Sequence, residues 1–279
     1  MIDHEWRVLT GAGLSEVAAL AARCLAVHGG LPLAAEPSFL QRRFAARAVT
    51  ARDPAGRLIA AAGLRDDDGG GGPVAAWLAL PEAVDHAGAA VLDAALAAGA
   101  VRVETEFLTV AAERLFARRA LVPDRAEDVL RFDRRHGISA AALPAGITLR
   151  EWSTGLAPRF HAVYAAAFRD RPGFPGWDVT QWTRWLVDDD FRPQASLLAT
   201  GADGTDAGFV TSAAGWIVQV GVRPGWRGRG LGAALVCAAL RRHDADAVLL
   251  DVAVGNPAVR LYRRLGFDPL GRRGTYRVA

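Results

Sequence analysis

The order of apolar and polar positions switches between a helical period and a strand period, and the same series runs twice along the chain. Residues 15–27 and 157–168 carry apolar side chains three and four apart on an Ala-rich background, which predicts an amphipathic helix early in each half. Residues 48–51 and 58–64, parted by the turn 53–57, predict two paired strands, as do 195–199 and 208–213 around the turn 201–205. A continuous apolar run follows in each half, 75–80 and 216–222, then a Gly-containing corner and an amphipathic helix, 88–98 and 230–242. Strands at 101–107 and 247–252, short helices at 114–119 and 260–265, and at least one further strand complete each series.

Two matching series of this kind read as an internal duplication of one α/β unit. The openings also agree, Trp6-Arg7-Val8-Leu9 in one half and Ile147 to Trp152 in the other. Between them lies a stretch of Gly, Pro and small residues with little periodicity, which predicts a first domain at 1–136, a linker at 137–146 and a second domain at 147–279. Another break, 66–73, reads as a loop between strands. The order of elements predicts an α/β class (α+β mixed sheet) with two tandem domains, each a mixed, mostly antiparallel sheet flanked by helices. Antiparallel pairing is expected across the short turns, and a parallel pair where the long helix crosses over.

Composition narrows the chemistry. Hydrophobic residues make up 51% and charged residues 23%, enough apolar material for two cores and too little charge for a disordered chain. All 33 basic residues are Arg, so Schiff-base lysines, a pyridoxal phosphate anchor, a P-loop lysine and a kinase-type phosphate lysine are excluded. Cys24 and Cys237 stand in no CxxC and beside no His cluster, so buried thiols in a reducing compartment are expected, and no metal. No stretch approaches the ~20 apolar residues of a membrane span, and the first ten residues are polar and acidic, which predicts a cytoplasmic protein with no membrane partner. The net charge of +3 is spread among 30 acids and gives no reason to expect a nucleic-acid partner.

The sharpest local signal is VQVGVRPGWRGRGLGAALVCAALRR, residues 218–242. A strand ends at Val222, a loop with four glycines follows, and a helix begins near Gly232. Gly228, Gly230 and Gly232 let the main chain approach a ligand with its N–H groups turned inward at a helix N-terminus, a corner suited to a diphosphate. Arg227 and Arg229 would add charge-assisted contacts. A tight turn that merely starts a helix is the other reading. Gly228 to Ala233 also satisfies the form GxGxxA, but five residues part it from the strand and fewer than sixty remain after it, which argues against a dinucleotide fold.

Arg227-Gly228-Arg229-Gly230-Leu231-Gly232 resembles the RxxGxG pyrophosphate loop of the GNAT acyltransferase superfamily. A second motif follows in order: Asn256-Pro257-Ala258-Val259-Arg260-Leu261-Tyr262-Arg263-Arg264-Leu265-Gly266-Phe267 is similar to that family's NxxAxxLYxxLGF. The resemblance covers Ile147 to the C-terminus well and the first half as a faded copy, and its tandem arrangement is most similar to the mycothiol synthase type. It implies acetyl-CoA as cosubstrate, with the pyrophosphate cradled by Arg227, Gly228, Arg229, Gly230, Leu231, Gly232 and Ala233. The pantetheine arm would run beside Val220, Gly221 and Val222, where the family has a bulge that splays two strands; Gly221 is compatible with that distortion. Asn256 would contact the cofactor or hold its loop, the alternative being a turn residue before Pro257. Tyr262 falls on the general-acid position, the alternative being a core aromatic on a helix.

A general base is not assigned. Family members of this type carry a Glu on the strand before the loop, whereas this chain has Gly215-Trp216-Ile217-Val218-Gln219 there. Gln219 can orient a water but cannot accept the proton, which puts the mycothiol-type acceptor in doubt. His161, Asp170 and Asp188-Asp189-Asp190 are the remaining candidates, though such residues are more often solvated surface groups. Acceptor specificity is expected in 168–191, where Trp182 and Trp185 fall three apart on a predicted helix and are read first as packing residues.

In the first half, Asp85 aligns with Arg227, Ala90 with the last loop glycine, Phe116 with Tyr262 and Val110 with Asn256, so the apolar framework persists without the chemistry. The resulting expectation is an acyl-CoA-dependent N-acetyltransferase acting by direct attack in the second domain on a small-molecule amine or a peptide N-terminus, as a monomer or homodimer. The alternative is a non-catalytic acyl-CoA binding or regulatory module.

Overall fold

The computed structural model describes residues 2–67, 71–171 and 173–279. The centre of the loop expected at 66–73, and Pro172 in the segment 168–191, lie outside the described residues. The chain forms two compact units that interleave in sequence: residues 1–129, 252–255 and 269–279 make the first, residues 130–251 and 256–268 the second.

The first unit contains β1 (Ile2–Arg7), α1 (Gly11–His28), α2 (Pro37–Phe44), β2 (Ala48–Arg52), β3 (Leu58–Arg65), β4 (Val74–Ala79), α3 (Ala89–Ala97), β5 (Arg102–Thr105), α4 (Val110–Ala117) and the start of β6 (Leu121–Asp133). Strands β1 to β4 pair antiparallel in order, and β4 pairs parallel with β5 across α3, as the short and long connections predict. The other edge of β5 is closed by a strand from the end of the chain, Gly274 to Arg277 opposite Thr105 to Arg102, antiparallel. Helix α2 was not anticipated from periodicity; Pro37 at its first turn is the available signal.

One expectation for this unit is corrected. Gly88 does not make a corner. It lies within a continuous helical path, a π-type turn Val84–Gly88 running into α3, with right-handed φ of −61°. A β-carbon there would come 2.9 Å from Ala79 and 3.0 Å from Trp77, so the glycine serves close packing of the helix on β4.

The second unit contains β7 (Thr148–Glu151), α5 (Ala157–Phe168), α6 (Val179–Leu186), β8 (Leu197–Thr200), β9 (Asp206–Ala213), β10 (Trp216–Val222), α7 (Leu231–Leu240), β11 (Ala247–Ala253), α8 (Val259–Arg264) and the start of β12 (Phe267–Val278). Strands β7 to β10 pair antiparallel in order, and β10 meets β11 in parallel across α7. Helix α6 begins on a capping box, in which the Asp178 side chain accepts from the Gln181 N–H and the Gln181 side chain accepts from the Asp178 N–H. Helix α7 buries Leu231 and every residue from Ala234 to Leu240, which explains a sequence almost without polar positions. On the face of α5 and α6 the core is aromatic: Trp152, Phe160, Tyr164, Trp182, Phe191 and Phe209 pack together, with Phe168, Phe174 and Trp177 at the margin.

Cys24 and Cys237 are both buried free thiols, and burial pushes Cys24 up to about 12. Among the described residues, no helix is long and apolar enough to cross a membrane.

His243, just after α7, is 4% exposed, and its Nε2 finds no hydrogen-bond partner among the described residues. Burial lowers its pKa to about 4, with Arg134 and Arg192 adding to the effect and Asp244 opposing it. As pH falls, the unfolded imidazole takes up its proton first, near 6.5, while the folded one stays neutral down to about 4. Stability is therefore complete above pH 6.5 and is lost between 6.5 and 4, by on the order of 2–3 kcal/mol. Urea unfolding at pH 7.5 and 4.5 should show this loss in the native chain and less than half of it in His243→Gln.

Candidate functional site

In the strand before the loop, the second unit departs from the first at one residue. Along β10 the register against β9 holds from Trp216 opposite Ala213 to Ile217 opposite Ser212, then slips, so that Gln219 faces Thr211 and Val222 faces Gly208. Val218 is the inserted residue of a β-bulge. In the first unit, β3 and β4 pair over six residues without a shift. The parallel contacts differ in the same sense: β4 pairs with β5 at three successive positions, whereas the register between β10 and β11 is Trp216 opposite Leu249 alone. A bulge bends and twists its strand, so β10 leaves β11 directly after it.

That divergence exposes backbone in a defined direction. The Arg223 N–H donates to the Ala207 carbonyl, so its backbone turns toward β9. Alternation along a strand then turns Val222 and Val220 the other way, toward the opening beside β11. Val222 agrees, since its carbonyl accepts from Arg227 Nε at 3.1 Å instead of from a strand. Gly221 lies one residue out of phase, on the α5 face, where a β-carbon would come 2.4 Å from Phe209 and 2.9 Å from Phe168. The distortion expected at Gly221 thus sits at Val218, and Gly221 is small because two rings close on it.

After β10 a short 3-10 turn, Pro224–Trp226, leads to Gly228 and Gly230, with φ of +77° and +81°. Only glycine adopts such angles freely, and β-carbons at both positions would meet nothing within 4 Å, so this side of the loop faces open space. Gly230 is the N-cap of α7 and supplies no side-chain cap. The first helical bond runs from Ala234 N to Gly230 O, which leaves the N–H groups of Leu231, Gly232 and Ala233 without intrahelical acceptors. These donors and the helix dipole make a corner for an anion. Arg229 lies over the Trp226 ring, 5.1 Å from its centroid. Arg227 is braced, its NH2 group donating to the Ala167 carbonyl at 3.1 Å besides the bond to Val222.

Helix α8 stands against this corner: a β-carbon on Gly232 would lie 3.5 Å from Leu261 and 3.8 Å from Val222. Asn256 precedes α8, and its Oδ1 accepts from the Ala258 N–H at 2.9 Å, the role of a turn residue. Tyr262, 8% exposed, packs edge-on to Phe267 at 5.9 Å. Burial pushes its hydroxyl up to about 12, Arg171 pulls it back down, and Asp251 adds to the rise. The phenol is therefore protonated throughout the physiological range. Arg171, just after α5, stacks over Phe168 at 4.3 Å and was not singled out from sequence; being an Arg in a loop, it gave no periodic signal.

On the other face of β10, Val218 and Gln219 both point toward the aromatic core, as consecutive residues do at a bulge. Trp182, fully buried, donates from Nε1 to Gln219 Oε1 at 3.1 Å. Trp185 is 49% exposed and pairs with Trp177 at 5.5 Å, so the two tryptophans read alike in sequence divide between core and surface. His161 Nε2 lies 2.8 Å from the Trp177 carbonyl.

The same positions in the first unit carry none of this. Asp85 is ion-paired with Arg118. Phe116 is fully buried, edge-on to Trp77 at 5.2 Å and to Tyr276 at 4.9 Å, and Val110 is exposed.

Comparison with known proteins decides the family. The profile described as Acetyltransferase (GNAT) domain matches residues 185–269. A mycothiol acetyltransferase of Stackebrandtia nassauensis is 35% identical over 237 residues, covering 77% of this chain and 77% of that protein. The chain belongs to the GNAT acetyltransferase family. Another mycothiol acetyltransferase, from Clavibacter sepedonicus, is 33% identical over 56% of each chain, so this GNAT chain matches a little over half of that relative's length. Among solved structures, a GNAT-type N-acetyltransferase from Sphaerobacter thermophilus superposes with a TM-score of 0.70 at 26% identity, covering 99% of this chain and 95% of that one. A tandem GNAT protein from the clavulanic acid biosynthesis pathway shares the fold, with a TM-score of 0.59 at 20% identity and 98% coverage of both chains.

Gly230 of this GNAT corner and Gly221 of the strand before it should respond differently to the same change. Gly230→Ala meets no atoms and pays only for its backbone angle, about 1–2 kcal/mol. Gly221→Ala drives a methyl into Phe209 and Phe168 and should cost more, up to ~3 kcal/mol. Denaturant unfolding of the two variants checks the order.

Proposed function

We propose that the second unit transfers an acetyl group from acetyl-CoA to the amine of an acceptor by direct attack. The observation that carries this reading is the coincidence, in one unit only, of the bulge at Val218, the early parting of β10 from β11, and the glycine corner on an uncapped helix. The opening fits the cosubstrate. Its extended arm has the outward backbone of Val220 and Val222 to pair with, as an added strand would. Its pyrophosphate has the N–H groups of Leu231, Gly232 and Ala233 and the Arg229 guanidinium, while Arg227 braces the loop against Val222 and Ala167. The relatives named mycothiol acetyltransferase support acetyl as the group carried.

The amine attacks the thioester carbonyl, a backbone N–H of the opened strand stabilises the oxyanion, and Tyr262 donates a hydrogen bond and then a proton to the departing sulfur. A phenol held near 12 is never lost to ionisation at working pH, and the nearby Arg171 charge moderates the rise that makes it a weaker acid. Asn256 holds the start of α8 and so the position of Tyr262. The first unit, with Asp85, Phe116 and Val110 at the corresponding places, acts as a structural partner without acetyl transfer. The absence of a carboxylate at Gln219 favours a second reading, a non-catalytic acyl-CoA binding module.

Calorimetric titration with acetyl-CoA should give one site per chain, weakened at least tenfold in Arg227→Asp. Tyr262→Phe should bind acetyl-CoA normally and slow amide formation tenfold or more. Unchanged turnover in that variant would remove Tyr262 from the mechanism, and binding without turnover on any amine would leave the non-catalytic reading.

A further inference from the structure

Gln219 is held in one orientation by a partner that has only one thing to give. An indole N–H donates and never accepts, so the atom 3.1 Å from Trp182 Nε1 is the amide oxygen of Gln219. The amide NH2 is then the end left for a ligand, and it has no acceptor among the described residues. Trp182 cannot turn to release it: the indole is fully buried, stacked on Tyr164 at 5.3 Å and 23°, and flanked by Trp152, Phe209 and His161. Directly across the sheet from Gln219 stands Thr211, whose buried hydroxyl also lacks a partner among the described residues. Cross-strand neighbours share a face, so the bulge sets the donor amide beside a buried hydroxyl on the α5 and α6 face of β10.

We infer that Gln219 is a specificity-determining hydrogen-bond donor to the acceptor, and that the protein therefore acetylates weakly basic amines, whose ammonium pKa lies near or below the working pH. The inference rests on the acetyltransferase reading above. The titratable and charged groups around Gln219 leave no prepared base. Strand β10 has none. Asp206 of β9 is taken up by Arg159 of α5 and by Thr200. On α5, burial raises Tyr164, and His161 donates from Nε2 to the Trp177 carbonyl. Helix α6 offers Arg184, and the Asp178 carboxylate before it is spent on its capping box. Helix α7 offers Cys237, raised by burial. The competitors among the described residues are the His161 Nδ1 lone pair and the exposed carboxylates of Asp170, Asp188, Asp189 and Asp190, and the experiment below is built to expose them.

The chemistry closes without an enzyme base. The neutral amine's lone pair forms the C–N bond as the carbonyl electrons move onto oxygen. Return of those electrons breaks the C–S bond, the sulfur leaves with the Tyr262 proton, and the proton shed by nitrogen returns to Tyr262 through water. An alkylamine with an ordinary ammonium pKa of about 10.4 is neutral in roughly one molecule per thousand at pH 7.5, an α-amine of about 7.9 in roughly one per four. Selection by protonation alone is thus about two hundredfold.

The test compares an aromatic amino-acid amide with the arylalkylamine of the same skeleton, following amide and free-thiol formation from acetyl-CoA between pH 6 and 10.5. Each acceptor's kcat/KM should rise to a midpoint at that acceptor's own ammonium pKa, and at pH 7.5 the amide should be favoured by at least fiftyfold. Gln219→Glu should bring both midpoints to one lower, shared value and raise the arylalkylamine rate at pH 7.5 by tenfold or more. Trp182→Phe, which frees the amide, should raise the acceptor KM severalfold while the acetyl-CoA affinity stays unchanged. A shared midpoint in the native protein, below the ammonium values of both acceptors, would overturn the inference, and its loss in His161→Gln would assign the proton to His161. Acetylation of strongly basic amines only, across a wider panel, would overturn the inference alone; binding of acetyl-CoA without turnover on any amine would overturn the acetyltransferase reading along with it.

Discussion

The opening in the second unit's sheet follows from one surplus residue in a strand. A sheet holds its strands at a fixed spacing as long as the register is kept, and Val218 breaks the register of β10 once. On one side the strand is pulled away from β11, so that main-chain donors and acceptors face an opening. On the other side two consecutive side chains, Val218 and Gln219, are delivered to the same aromatic surface. The first unit has the same strand order without the insertion, and its sheet stays closed.

The aromatic face supplies the opposite quality, rigidity. Trp152, Phe160, Tyr164, Trp182 and Phe209 are in mutual ring contact, and planar side chains with two torsions lose little freedom when packed this way. A polar group anchored to such a surface has a fixed direction. Gln219 is such a group, its amide oxygen fixed by Trp182 beside a strand whose own backbone is also turned in a determined direction.

Much of this was legible in the sequence. The duplication and the mixed pairing follow from periodicity and spacing, and the two linked motifs from resemblance to a family, because each depends on residues close together in the chain. What escaped depends on contacts distant in sequence. Gly221 looked like the site of the bulge, and only Phe168 and Phe209 reveal it as a packing residue. Gly88 looked like a corner for the same reason, since a glycine does not announce whether it is needed for its angle or its size. Trp182 and Trp185, equivalent by spacing, part company because one helix face meets β10 and the other meets water. The bonds of Arg227 to Val222 and Ala167 were likewise invisible in the sequence.

The interleaving of the two units bears on how the chain comes to be folded. The first unit's β5 is only four residues long, and its outer edge is satisfied by Gly274 to Arg277. During synthesis nearly all of that unit emerges well before the strand that completes it, so its sheet must wait with an open edge while the second unit is still being made. Unpaired edges are templates for association with other chains. Arg102 and Glu104, charged residues on a very short strand, are the kind of sequence that keeps a waiting edge from finding the wrong partner.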